Sequence, residues 1–149
     1  MSSPAPRKNP LTELPKSMWT TPAIAGMQAE RYGARIFCTF HDGATLTFRE
    51  LNDKTDRLAS ALADVGVVAG DRVVALVHNS KAFVLIMIAA HKRGAIFVPL
   101  NTELKGAFLQ HQLRNTEPRV VFVDAELRHA FETTEIGDIA IEGTVVIGG

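Results

Sequence analysis

From Arg72 onward the chain alternates between short runs of apolar residues and longer segments with helical spacing. In order these are "RVVALVH", "SKAFVLIMIAAHK", "AIFVPL", "ELKGAFLQHQLRN", "RVVFVD", "AELRHAF" and "TVVIGG". The interior strand runs show no polar alternation, so both of their faces must be covered. A strand that is apolar on both faces belongs in a parallel sheet with helices on either side. The intervening helices supply the crossovers that parallel neighbours need, in the right-handed sense. The fold class is therefore α/β, with a mostly parallel sheet flanked by helices.

Ahead of this alternation the signals are local. Thr21 followed by Pro22 reads as an N-cap with proline in the first helical turn, and Ile24 and Met27 give that helix one apolar face before Gly33. "ARIFCTF" and "ATLTF" flank His41-Asp42-Gly43, which predicts an N-terminal β-hairpin because glycine tolerates the positive φ of a tight turn. Thr47 and Glu50 stand at capping-box spacing. Leu51, Leu58, Leu62 and Val65 then share a helical face that Gly66 ends, and Asp53 and Arg57 form a solvated pair on the other side.

Further on, Ser80 opens an apolar helix that Gly94 closes, with His91, Lys92 and Arg93 at the negative end of its dipole. A helix from about Glu103 to Asn115 contains Gly106, which weakens it. Asp124 caps a helix from Ala125 to about Phe131.

A chain of 149 residues with 46% hydrophobic content sustains one globular unit with a proper core. We read residues 1–19, "MSSPAPRKNPLTELPKSMW", as a flexible arm without an export signal, and residues 20–149 as the folded unit. Sixteen basic and sixteen acidic side chains balance, leaving no net field to favour nucleic acid. The longest apolar run, Ala82 to Ala90, is well short of the roughly 20 residues that span a bilayer, so no transmembrane segment is expected. One cysteine, Cys38, cannot form an internal disulfide, and cytoplasmic location is the expectation.

Ligands of open α/β sheets gather beyond the carboxyl ends of the strands, here at His78 and Asn79, Asn101 and Thr102, Asp124, and Gly148 and Gly149. Asn79 or Ser80, Asn101 or Thr102, and Asp124 each precede a predicted helix and are explained by capping. His78 has no nucleophile or carboxylate identifiably paired with it in the sequence and reads as structural. "GTVVIGG", Gly143 to Gly149, lacks the Lys-Ser/Thr of a phosphate loop, and no G-x-G-x-x-G follows a strand. Cys38, inside a strand, has nothing nearby to lower its pKa. No catalytic, cofactor-binding or metal-binding residue is assigned.

"LTFREL" (Leu46 to Leu51), the helix and strand of "RLASALADVGVVAGDRVV", and "LVHNSKAFVLIMIAAHKRGAIFVPLN" (Leu76 to Asn101) together resemble the N-terminal region of the AMP-forming acyl-CoA synthetase superfamily. That superfamily also holds luciferases and adenylation domains. "LTFREL" is similar to its first core motif and "KRGAIFVPLN" to its second, in the right order and separation. The stretch from Val98 to Asp124 looks closest to the crotonobetaine/carnitine-type acid–CoA ligases.

The resemblance implies activation of a carboxylic acid by ATP to an acyl-adenylate, then transfer to coenzyme A, with magnesium at the nucleotide. It also implies that the Ser/Thr/Gly-rich phosphate loop and the catalytic lysine lie beyond residue 149. No cofactor is then expected for this chain alone. An apolar strand followed by Gly148 and Gly149 leaves part of the sheet uncovered, so the chain reads as the front part of something larger. Two other readings stay open: a split-protein half that associates through its uncovered sheet edge, and a free-standing flavodoxin-like binding module.

Overall fold

The computed structural model describes residues 14–148. After a 3-10 turn at Lys16–Met18, the elements are α1 (Thr21–Tyr32), β1 (Ile36–Thr39), β2 (Thr45–Thr47), α2 (Phe48–Asp64), β3 (Arg72–Leu76), α3 (Lys81–Lys92) and β4 (Ile96–Pro99). There follow α4 (Gly106–Thr116), β5 (Val120–Asp124), a 3-10 turn at Ala125–Leu127, α5 (Arg128–Glu132) and β6 (Gly143–Ile147). The expected α/β architecture is present. Strands β1 and β2 form the antiparallel hairpin, and the remaining four form a parallel sheet in the order β4-β3-β5-β6.

Register explains the unbroken apolar runs. Val73 lies between Phe97 of β4 and Val120 of β5, and alternate residues of β3 and β5 enter opposite cores. Val73, Ala75, Val120 and Phe122 pack with Ala59 and Leu62 of α2 and Ile86, Ala89 and Ala90 of α3. Val74, Leu76, Val121 and Val123 pack with Leu109 and Leu113 of α4 and Phe131 of α5. Two buried faces leave no place for a polar side chain, so the central strands read as continuous Val, Ala, Leu and Phe. A third cluster, Ala25, Leu46, Leu51 and Ile88, ties the hairpin and α1 to the outer side of α3.

Several boundaries differ from expectation. Thr20, not Thr21, caps α1 by accepting from Ala23 N, because the proline ring at position 22 fits the second helical residue as well as the first. Val65 is the exposed C-cap of α2 and does not join its apolar face, which runs through Leu51, Thr55, Ala59 and Leu62. Arg57 donates to the Asp53 backbone carbonyl rather than to its carboxylate. Strand β4 is a sheet edge with Ile96 half exposed, not a doubly covered strand.

Asn101 accepts from Glu103 N in a side-chain turn, and α4 begins only at Gly106, whose φ of 51° places it at the helix entrance instead of the interior. The segment after β5 splits into a 3-10 turn and a short α5, without a side-chain cap from Asp124.

The basic cluster at the end of α3 binds neighbours as well as facing the dipole. Lys92, with its side chain only 9% exposed, reaches Asp56 Oδ1 at 2.7 Å and both the carbonyl and side-chain oxygens of Asn52, locking α3 against α2. Arg93 donates to the Val67 carbonyl in the loop before β3. Gly94 then turns the chain at φ 69°, where an added Cβ would stand 3.1 Å from Ala69 Cβ.

Candidate functional site at the carboxyl edge of the sheet

Strands β3 and β5 are neighbours, yet the helices that follow them lie on opposite faces, with α3 in one core and α5 in the other. The chain therefore diverges from this point in both directions, opening a crevice at the strands' carboxyl ends where α/β folds place ligands. His78 emerges just past β3 and Asp124 ends β5, one on each side of that crevice.

These two residues meet. Asp124 Oδ2 accepts from the backbone N–H of His78 at 2.7 Å and lies 2.8 Å from His78 Nδ1. Glu126, in the turn that follows, brings Oε1 to 3.1 Å from the same ring nitrogen. Asp124 is therefore occupied with joining two strand ends, which explains why it caps no helix. The structure thus gives His78 carboxylate partners that could not be identified from the sequence. Nothing in the sequence pairs positions 78 and 124, because their meeting depends on β5 lying directly beside β3.

Asn79, Asn101 and Thr102 join His78 around a cleft of about 350 Å³, whose floor is Val77, Phe83, Pro99 and Leu100. Ser80, beside it, caps α3 by accepting from Phe83 N. Gly148 follows β6 at φ 80°, and Gly149 lies outside the described residues. Gly143–Ile147 is a strand, as read. Cys38 is partly buried, and burial pushes its thiol pKa up, away from reactivity.

The polar groups of the edge are an imidazole, amides, hydroxyls and two carboxylates. This donor set does not fit a nucleotide triphosphate, which requires converging N–H groups and a lysine or arginine. Triphosphate binding and any step routed through it cannot be placed on these residues.

A second, larger cleft of about 660 Å³ lies at the opposite end of the sheet, between Arg72, Arg114 and Arg119 and the segment Ile136 to Ala140. Two of its three cations have structural partners. Arg72 holds the Thr116 and Glu117 carbonyls and the Glu117 carboxylate, and Arg119 pairs with Glu142. Asp71, Glu117 and Asp138 in the same wall offset the positive charge.

Comparison with known proteins agrees with this architecture. The sequence profile of the AMP-binding enzyme family matches residues 26–147. The medium/long-chain-fatty-acid–CoA ligase FadD6 of Mycobacterium tuberculosis is 39% identical over 100 residues, covering 67% of this chain and 17% of that protein. A feruloyl-CoA synthase of an Amycolatopsis species is 40% identical over 81 residues, covering 54% of this chain and 16% of that protein. The crystal structure of the anthranilate CoA ligase AuaEII in complex with anthranoyl-AMP superposes with a TM-score of 0.82 at 28% identity, over 93% of this chain and 26% of that one.

This chain belongs to the AMP-binding enzyme family. It spans about a sixth of the length of the curated relatives it matches, 17% and 16% for the two above. These relatives do not single out the crotonobetaine/carnitine-type branch.

Proposed function

We propose that the chain is the amino-terminal part of an AMP-forming acid–CoA ligase and has no turnover by itself. The observation that carries this reading is the family match across residues 26–147, set on a parallel sheet like that of a CoA ligase. In such an enzyme a carboxylate oxygen attacks the α-phosphorus of ATP and the bond to pyrophosphate breaks. The acyl-adenylate then loses AMP to an attacking thiol, that of coenzyme A, and becomes a thioester. Residues 20–149 supply a sheet and its helices for this enzyme; of the stretch read as an arm, residues 1–13 lie outside the described residues. ATP, magnesium and coenzyme A belong to the complete enzyme, and the substrate is a carboxylic acid. The relatives' names cover fatty, ferulic and anthranilic acids.

A reducing, cytoplasmic setting is part of the same reading, supported by the lone Cys38. Among the described residues no helix is long and apolar enough to cross a membrane. The outer edge of β6, with Val145 and Val146 exposed, is where further strands or a partner would add.

Isothermal titration of the 149-residue chain with magnesium and ATP tests the division of labour. The reading predicts no saturable heat. Tight stoichiometric binding would show that the nucleotide site lies within this chain after all.

A further inference from the structure

We propose that His78, Asp124 and Glu126 form a three-ligand site for a divalent transition-metal ion of the zinc class, with a coordination position left open beside the cleft of Asn79, Asn101 and Thr102. Among the described residues this is the one group of three or more histidine, cysteine and carboxylate side chains whose donor atoms converge, all within 4.8 Å of one another.

The spacing suits an ion. Zinc binds imidazole nitrogen and carboxylate oxygen at about 2.0–2.2 Å, which sets tetrahedral ligand atoms roughly 3.3–3.5 Å apart. The Nδ1 of His78 stands 2.8 Å from Asp124 Oδ2 and 3.1 Å from Glu126 Oε1. Admitting the ion means widening the His78–Asp124 gap by about 0.6 Å and the His78–Glu126 gap by about 0.3 Å. These movements fall to the His78 ring and the Glu126 side chain, 45% and 74% exposed, while Asp124 stays in place.

Placement and chemistry add to the spacing. Asp124 is the anchored member: its side chain is largely buried and oriented by the His78 backbone N–H, the kind of supporting bond that fixes a ligating carboxylate. The three donors come from the carboxyl ends of two adjacent strands and the turn after one of them, where the chain diverges to opposite faces of the sheet. An imidazole among the donors selects zinc over magnesium or calcium, which take oxygen ligands. Three protein ligands complete three of zinc's four positions, and the cleft that His78 lines gives room for a water or a small anionic ligand at the fourth.

The test is competition for zinc between a chromophoric chelator and the 149-residue chain, repeated for His78→Gln and Glu126→Gln. Both positions are exposed enough for the variants to fold, which far-UV circular dichroism checks. The proposal predicts one zinc per chain, undisturbed by excess magnesium. It predicts an affinity loss of more than about tenfold in each variant, the scale on which even outer-shell partners act. Zinc should also raise the Tm of the wild type and not of His78→Gln. No saturable binding by the wild type would overturn it. So would equal binding by folded variants, which would place the ion on other histidines such as His111 or His129.

Discussion

Thr47 and Glu50 close the start of α2 on each other. Glu50 N donates to Thr47 Oγ1, while Thr47 N and Oγ1 donate to Glu50 Oε2, both at 2.9 Å. These bonds to the Thr47 backbone N–H and hydroxyl hold the Glu50 carboxyl below its usual pKa. The folded pKa is thus lower than the unfolded one, so the stabilisation is complete above the unfolded value of about 4.3 and is lost as pH falls through the folded value. In urea, Glu50→Ala should lower the unfolding midpoint at pH 7, and the gap to wild type should shrink as the pH drops below about 4. A gap that is constant down to pH 3 would contradict the assigned bonds.

At this scale the sequence is legible where partners are three residues apart, as Thr47 and Glu50 are. It is silent where they are 46 apart, as His78 and Asp124 are. A helix start carries its partners in its own first turn, whereas the imidazole finds its carboxylates only after two strands have docked side by side.

Among the elements, β3 and β5 were legible because burial on both faces leaves one sequence pattern. β4 was misread because "AIFVPL" looks equally apolar at a sheet edge, where Ile96 faces solvent. What decides between centre and edge is strand order, which depends on which strand each crossover returns to. The start of α4 was likewise hidden. Asn101 satisfies Glu103 N in a turn of its own, and four residues follow before Gly106 enters the helix with positive φ.

Within α4 two adjacent residues should respond in opposite ways. Leu109 is fully buried beneath β3 and β5, so Leu109→Ala should cost about 2–5 kcal/mol. Phe108, 77% exposed, contacts little, and Phe108→Ser should stay within about 0.5 kcal/mol of wild type. Chemical denaturation of the two variants checks this, and a large cost at Phe108 would mean that α4 is rotated from its described face.

At the scale of the whole molecule, the two core motifs are parts of the scaffold. "LTFREL" is the end of the hairpin and the capped start of α2. "KRGAIFVPLN" is the tail of α3, the Gly94 turn, the edge strand β4 and the Asn101 turn. Their side chains make a capping box, an interhelical lysine clamp and buried packing. The family was readable because these contacts constrain residue types over a long stretch. Catalytic groups were not readable because the polar residues at the strands' carboxyl ends are also what turns and helix starts require, as Ser80 and Asn101 show.

As proposed above, residues 20–149 serve as the structural front of an acid–CoA ligase. The most direct test puts this segment in place of the corresponding one in the complete fatty-acid ligase relative and measures acid-dependent pyrophosphate release. The account predicts a folded chimera that releases pyrophosphate within about tenfold of the parent rate, a barrier change of no more than about 1.4 kcal/mol. A folded chimera that binds ATP yet releases no pyrophosphate would contradict it.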